Sequence, residues 1–353
     1  MKRRIRATKI ELAKTAKSVQ AISPELGEEF LRSLEPDQNT PDLKRSIAGL
    51  REEDEFAVMC KLTGTAKLII DLGQRPLIPS TAIIPDFLVS FEPKSFILGL
   101  PKEPENARLC LVEVKSTDRD EFKVSGSQLA RRRELASSLG VPLVFAVRFT
   151  RFGRNAFWVM KWDRNTVART LRVSTTDLLT SASRFLWDDY FLFISPTTRI
   201  VRISDSALGD GPQTEFGQLV ATRLVTSDHD ETFENEESFF LSAMADALQF
   251  EAERCEVQGT ITQQVLQPSV AGGMLSDVIW RINHLISDDS GNCLFDSSAI
   301  VAHADTDEFT WLLKREFVER LCRWLVDLKV LYYTGIGERD EIEESYNEFF
   351  RRR

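Results

Sequence analysis

The stretch "LCLVEVKSTD" (109–118) has the pattern of a buried strand into which an acid and a base are inserted. Glu113 and Lys115 interrupt an otherwise apolar run and lie two positions apart. Because side chains alternate between the two faces of a strand, Glu113 and Lys115 share one face while Val112 and Val114 share the other. Taken alone, such a pair is more typical of a solvated or ion-paired edge than of a catalytic site.

A second apolar run, "IIPDFLVSF" (83–91), also contains an acid, Asp86. The two runs are consecutive β segments, and pairing them as a hairpin places Asp86 beside Glu113. Two carboxylates held close together raise each other's pKa unless a cation lies between them. Mg²⁺, a hard cation that prefers oxygen ligands, resolves the repulsion. Asp86 and Glu113 are therefore candidate metal ligands, with Mn²⁺ as an alternative ion.

The presence of Lys115 indicates which reaction this pair of carboxylates suits. A divalent cation polarises a phosphoryl oxygen, and an ammonium beside it orients an attacking water or offsets the charge of the transition state. Such a set of residues suits hydrolysis of a phosphodiester bond. Acyl transfer and nucleotide binding are disfavoured, because the sequence has no nucleophile elbow and no GxxxxGK[ST] or GxGxxG motif.

The segments around these two runs indicate an α/β region. Strand patterns occur at 66–72, 142–149 and 155–162, and a helical pattern ending in glycine spans 127–140. The fold class predicted from these patterns is α/β.

Together these residues resemble the PD-(D/E)xK nucleases, in particular the archaeal-type Holliday junction resolvases. "PDF" carries Asp86, 27 residues before the Glu113 of "EVK". The resemblance covers about residues 50–162 and implies a restriction-endonuclease-like mixed sheet flanked by helices. It also implies a metal-binding glutamate on a preceding helix, matched by Glu53 in "EEDEFAVMCKLTG", eleven residues before Gly64.

Two positions near the signature stay open or follow from the resemblance alone. Glu52 and Glu55 are alternatives to Glu53 as the helix ligand, since the acids crowd one turn. "KVSGSQLARR" follows Lys115 and places Gln128 where many members of the family have an active-site glutamine.

The resemblance implies a Mg²⁺-dependent endonuclease acting on DNA. Asp86, Glu113 and Glu53 are then metal ligands, Lys115 orients the attacking water, and Gln128 supports the site. Phosphate contacts, which position DNA without reading its sequence, are assigned to basic residues that follow the signature: Arg119, Lys123, Arg131, Arg132 and Arg133. For the three consecutive arginines, a solvated helix face is the alternative. Resolvase relatives are dimers, so a homodimer on branched DNA is an expectation.

The net charge of −9 is unevenly distributed along the chain. It is +2 over residues 1–85, +6 over 86–172 and −17 over 173–353. A basic first half suits a polyanion, whereas the acidic part repels one and suits a protein partner.

Four domains are predicted from these patterns: an N-terminal helical extension (1–50), a nuclease-like domain (51–205), an acidic linker (206–237) and a mainly helical accessory domain (238–353). The five cysteines are scattered without a CxxC pair, which indicates reduced thiols. No signal peptide or membrane span is visible, so a cytoplasmic protein without a membrane partner is expected.

Two other functions compete with the nuclease hypothesis. One is a nuclease-derived domain that only binds nucleic acid or protein. The other takes the acidic C-terminal part as a docking module of a multi-protein defence or repair assembly, with the nuclease as its effector.

Overall fold

The strand that carries Glu113 and Lys115 runs from Arg108 to Thr117 in the structure of the protein, a computed structural model. The structure describes residues 9–34, 41–72, 81–92, 108–152, 157–163, 170–204, 213–214, 217–288, 291–303 and 309–333.

The helices of the described residues are numbered in chain order. They are α1 (Lys9–Ile22), α2 (Pro24–Ser33), α3 (Pro41–Thr63), α4 (Gly126–Leu139), α5 (Ser183–Leu186), α6 (Asn235–Ala247), α7 (Leu275–His284), α8 (Ser297–Ala302) and α9 (Arg315–Asp327). Among these helices, none is long and apolar enough to cross a membrane.

The strands of the described residues follow the same order. They are β1 (Ala66–Asp71), β2 (Phe87–Phe91), β3 (Arg108–Thr117), β4 (Glu121–Val124), β5 (Leu143–Phe149), β6 (Trp158–Trp162), β7 (Leu171–Ser174), β8 (Phe191–Ile194), β9 (Thr198–Ser204), β10 (Gln213–Thr214), β11 (Gly217–Val225), β12 (Asp230–Glu234), β13 (Phe250–Gln258), β14 (Ile261–Pro268), β15 (Gly272–Met274) and β16 (Leu331–Tyr333).

Contacts between residues divide the chain into two compact units. The first comprises the described residues within 1–92, 106–183 and 294–312, and the second those within 184–293 and 313–353. The first unit is therefore assembled from separate pieces of the chain, unlike the predicted contiguous nuclease-like domain.

The first unit is built on a five-stranded sheet in the order β1-β2-β3-β5-β6. Strand β3 pairs in parallel with β5, whereas the other neighbours are antiparallel, so the sheet is mixed as predicted. Alternation of side chains gives the sheet two different faces. Phe56 of α3 stacks on Phe87 at 5.8 Å between ring centroids. On the opposite face, Leu129 of α4 joins a core with Leu111 and Phe145.

The predicted helix over 127–140 is confirmed as α4 with a shift of one residue at each end. Gly140 ends it in the left-handed conformation at φ 69°, which glycine adopts without strain. Leu129 is buried, whereas Leu139 is 54% exposed. Arg132 and Ala136 complete the buried stripe instead.

Helix α3 is contacted by α1 and α8, two other parts of the first unit. Asp54 is buried, and its carboxylate lies 2.5 Å from the Lys17 ammonium of α1. The Ser298 hydroxyl of α8 donates to the same carboxylate at 2.7 Å. A segment near residue 300 thus reaches the helix that also carries Glu53.

The second unit contains more strand than predicted. Its six-stranded sheet has the order β10-β11-β9-β14-β13 with β12 paired to β11, and a three-stranded sheet joins β15, β8 and β16. The described part of the predicted acidic linker, 206–237, is largely strand, since 217–225 and 230–234 pair in the larger sheet. The mainly helical accessory domain is a wrong prediction for 250–268, which forms the β13–β14 hairpin.

A buried polar network ties the start of the second unit to α7 and α9. Arg315 is 1% exposed and donates to the Asp188 carbonyl at 2.9 Å and to Glu319 at 2.9 Å. Asp189 accepts from the backbone N–H and the hydroxyl of Ser276, at 2.9 and 2.6 Å. These contacts cap the N-terminus of α7 with a carboxylate from outside the helix.

Candidate active site

Asp86 and Glu113 are brought together by the pairing of β2 with β3. Phe87 lies opposite Val112 in the antiparallel ladder, which confirms the predicted pairing of these two runs. Asp86 directly precedes β2, and its Oδ2 accepts a 2.7 Å hydrogen bond from the backbone N–H of Val114. The carboxylate of one strand is therefore fixed to the backbone of the other, between Glu113 and Lys115 in sequence.

Lys115 lies between the two carboxylates. Its Nζ is 2.7 Å from Glu113 Oε1 and 3.7 Å from Asp86 Oδ2, and it donates to the Val114 carbonyl at 2.7 Å. The side chains of Glu113 and Asp86 are 2% and 4% exposed, whereas that of Lys115 is 34% exposed. Of these three side chains, that of Lys115 is the most exposed.

The charges of this cluster follow from burial and mutual interaction. Burial lowers the pKa of Lys115, but Asp86 and Glu113 outweigh it, so the pKa lies above its usual value. Lys115 is therefore a cation at neutral pH. Burial raises the pKa of Asp86 to about 6, with Lys115 opposing the rise and Glu113 adding to it.

Glu53 of α3 interacts electrostatically with this cluster. Burial raises the pKa of Glu53 to about 8, and the Asp86 carboxylate raises it further while Lys115 lowers it. Glu53 is therefore a third acid whose charge is linked to those of Asp86 and Lys115.

Glu52 and Glu55, the two alternatives to Glu53, interact with Arg148. Arg148 of β5 forms an ion pair with Glu55, and its Nη1 also lies 3.8 Å from Glu52. Burial raises the pKa of Glu55 to about 7, and Arg148 opposes the rise. Arg148 thus links Glu52 and Glu55 of α3 to the sheet, whereas Glu53 interacts electrostatically with Asp86 and Lys115. Which of the three acids is a metal ligand stays a prediction.

Arg132 is the second cation on Glu113. Its guanidinium, 9% exposed, forms an ion pair with Glu113 and also donates to the Gln128 carbonyl at 3.2 Å. The arginine therefore ties α4 to β3. The sequence predicts a phosphate contact or a solvated face for Arg132, yet this residue lies at the centre of the buried stripe of α4.

The neighbouring arginines of α4 also have partners within the first unit. Arg133 forms a two-pronged ion pair with Asp163, at 2.5 and 2.6 Å. Arg131 is exposed, and its guanidinium donates to the Thr81 carbonyl. Arg133, like Arg132, thus has a structural role that the sequence did not reveal.

The remaining predicted site residues lie on the surface. Gln128 is exposed in the first turn of α4, one turn before Arg132. Arg119 is exposed in the turn after β3, and Lys123 is exposed on β4. Their roles toward DNA stay predictions.

Asp86, Glu113 and Glu53 offer carboxylate oxygens as donors to a divalent metal ion. Within the described ranges, no group of three His, Cys, Asp or Glu side chains is arranged closely enough to hold a metal ion as it stands. However, Glu113 Oε2 is buried without a hydrogen-bond partner in the described part of the chain. A buried carboxylate oxygen is costly when unsatisfied. An unsatisfied carboxylate oxygen beside two further acids fits a hard cation in its chemistry, and Lys115 already supplies one positive charge there.

Comparison with known proteins adds one distant likeness. No protein-family model matches the sequence, and no curated protein matches it. Among solved structures, Hjc, a Holliday junction resolvase from the archaeal hyperthermophile Archaeoglobus fulgidus, is similar at 14% sequence identity and a TM-score of 0.27. The match covers 38% of this chain and 93% of that one. A likeness at this level carries no argument, so the interpretation depends on the residues themselves.

Sequence reasoning assigned Arg132 to phosphate contacts and missed its ion pair with Glu113; it also missed Arg148 as the partner of Glu55. A signal existed for Arg132, because Leu129, Arg132 and Ala136 follow the helical spacing of a buried stripe. For Arg148 the signal was weaker: it interrupts an apolar strand that was predicted correctly.

Proposed function

We propose that this protein is a metal-dependent endonuclease that hydrolyses phosphodiester bonds of DNA. The observation that carries the proposal is the position of Lys115, whose ammonium lies 2.7 Å from Glu113 and 3.7 Å from Asp86 at the solvent-accessible side of the pair. Two acids and a lysine converge here from consecutive strands, which is the chemistry that phosphodiester hydrolysis requires.

Asp86, Glu113 and Glu53 are the proposed ligands of Mg²⁺, with Mn²⁺ as the alternative. The ion, when bound, polarises the phosphoryl group and offsets the negative charge that develops on it. The buried, unsatisfied Glu113 Oε2 and the raised pKa values of Asp86 and Glu53 support a cation at this position, because a cation relieves the repulsion between crowded carboxylates.

Lys115 acts as a positively charged donor and not as a base, because its raised pKa keeps it protonated at neutral pH. Glu113 and the Val114 carbonyl hold the ammonium, and its remaining N–H is the proposed donor to water or a phosphate oxygen. Arg132 fixes the carboxylate that in turn fixes Lys115.

DNA is the proposed substrate because the part of the chain that carries the site is basic, at +6 over residues 86–172. Arg119, Lys123 and exposed Arg131 are the proposed phosphate contacts. Branched DNA, a homodimer and a protein partner for the acidic part of the chain belong to the same proposal.

The test is cleavage of branched, linear, supercoiled and single-stranded DNA with Mg²⁺ or Mn²⁺. We expect Lys115→Ala to abolish cleavage while DNA binding in Ca²⁺ persists. The matched control is Lys67→Ala, which removes an exposed lysine of β1 that pairs with Glu92. Cleavage by Lys115→Ala at the rate of the control contradicts the proposal.

A second candidate function is a nuclease-fold module that binds DNA or a protein without cutting. The observation that favours it is that, over the described residues, no preassembled set of three metal ligands is present. Binding of DNA by wild type without cleavage of any substrate in either metal supports this second function.

A further inference from the structure

The antiparallel ribbon of β4 and β7 presents one apolar and one polar face. Val124 and Val173 point inward and belong to the buried core of the first unit, and Phe122 packs against the same core. By alternation, Lys123 and Arg172 point outward, and both are exposed. The apolar face of the ribbon thus packs on the core of the first unit, and the polar face is exposed to a ligand.

Lys123 lies directly opposite Arg172 in the ladder of this ribbon. Like charges placed opposite each other across an antiparallel pair destabilise it. Within the described residues, Lys123 forms no ion pair, and Arg172 has a weak one at 3.7 Å to Glu121. Both partners of that pair are well exposed, at 61% and 46%, so solvent screens it. An anion above the ribbon relieves the repulsion between the two cations.

The ribbon flanks the candidate active site. Strand β3 ends at Thr117, and β4 begins at Glu121 after a short turn. Val147 of β5 lies opposite Lys115 in the sheet and belongs to the same core as Val173 of β7. Because neighbours across a sheet share a face, the ribbon packs on the face to which Lys115 points.

We propose that the outward face of the β4–β7 ribbon is a phosphate-binding surface for the DNA backbone beside the cleavage site, with Lys123 and Arg172 each contacting one phosphate. The inference rests on the proposed function and adds Arg172 as a binding residue. The two cations lie on neighbouring strands, whose backbones are about 4.8 Å apart, and they contact the DNA backbone on the face of the sheet to which Lys115 points. The contact is to phosphates, so it is independent of base sequence.

The test measures binding of a fluorescent DNA duplex and a four-way junction in Ca²⁺ over a series of salt concentrations. The variant is Lys123→Ala with Arg172→Ala. The control is Lys67→Ala with Arg32→Ala, which removes the same charge from exposed ion pairs on β1 and α2. We expect the ribbon variant to bind at least about tenfold more weakly than the control. We also expect its slope of log affinity against log salt to be shallower by about 2, since each lost phosphate contact removes about 1.

Thermal unfolding separates this role from a structural one. Removal of two facing cations leaves the melting temperature unchanged or raises it, whereas a lower melting temperature shows that the pair supports the fold and counts against the proposal. If wild type binds DNA and the ribbon variant matches the control in affinity and salt slope, the ribbon proposal is overturned and the proposed nuclease function stands. If wild type binds neither DNA, the proposed function fails and the ribbon proposal fails with it.

Discussion

The Arg132 guanidinium of α4 forms a buried ion pair with the Glu113 carboxylate of β3. Lys115 binds the same Glu113 oxygen from the side that faces solvent. One carboxylate therefore interacts with two cations of different kinds, one inside the protein and one at its surface. Arg132 fixes the position of the Glu113 carboxylate. The carboxylate in turn fixes the position of the Lys115 ammonium.

Loss of Arg132 is expected to destabilise the first unit. Arg132→Met leaves the buried Glu113 carboxylate without its inner partner, and removal of one member of a buried pair costs about 3 kcal/mol or more. Urea unfolding measures this loss. Arg119→Met is the matched control, since Arg119 is exposed and its loss is expected to cost less than about 0.5 kcal/mol. Equal unfolding free energies for the two variants contradict the structural role of Arg132.

Glu53 and Glu55 allow a matched test of the metal site on one helix turn. Glu53→Gln is expected to lower Mg²⁺-dependent cleavage at least about 100-fold, because loss of even an outer-shell partner of a metal ligand costs 10- to 100-fold. Glu55→Gln weakens the ion pair with Arg148 and is expected to lower stability while cleavage persists. Cleavage assays on both variants decide the assignment, and the reverse pattern shows that Glu55 is the ligand.

In the second unit, Arg315 and Glu319 are expected to contribute to the free energy of unfolding as a coupled pair. Arg315→Met leaves Glu319 and the Asp188 carbonyl buried without their donor, which costs about 3 kcal/mol or more. The double variant Arg315→Met with Glu319→Leu is expected to be more stable than the single arginine variant, since the Glu319 carboxylate that loses its partner is removed as well. Arg320→Met, on the exposed side of the same helix, is the control. Additive losses in urea unfolding contradict the coupling.

The stability of the second unit is expected to depend on the protonation of Asp189. Burial raises the pKa of Asp189 to about 6 from the ordinary value of 3.8, although Ser276 and Arg315 oppose the rise. Because the folded-state pKa is the higher one, the folded protein binds the proton more tightly, so this stabilisation is present at low pH and is lost as the pH rises through 6.

Asp189→Asn removes this dependence. The unfolding free energy of wild type relative to Asp189→Asn is expected to fall by about 2 kcal/mol between about pH 4 and pH 7.5. The comparison cancels the titration of other groups. A difference that is constant with pH, or that grows as the pH rises, contradicts the prediction.

Much of the first unit was predictable from local pattern. The apolar runs around Asp86 and Glu113 are long enough to identify two strands, and consecutive strands commonly pair. Helix α4 has a clear apolar stripe and a glycine at its end. The position of Arg132 was not predictable in the same way, because burial of an arginine depends on a carboxylate from another element.

The second unit was harder to predict. Residues 250–258 fall within the predicted mainly helical accessory domain, yet they form β13, an edge strand that is exposed along most of its length. An exposed strand buries neither face, so its sequence lacks the alternation on which strand prediction depends. Helix α6 ends at Ala247, and Gln249 follows with a φ of +60°. No sequence pattern predicts this left-handed conformation.

The return of the chain to the first unit through residues 294–312 affects how the protein is made. The N-terminal part of a protein emerges from the ribosome first, and domains generally fold as units during synthesis. Here the piece that brings the Ser298 hydroxyl to Asp54 is synthesised after most of the second unit. The support behind the helix of Glu53 is thus completed late in translation, so the candidate active site matures only when most of the chain has left the ribosome.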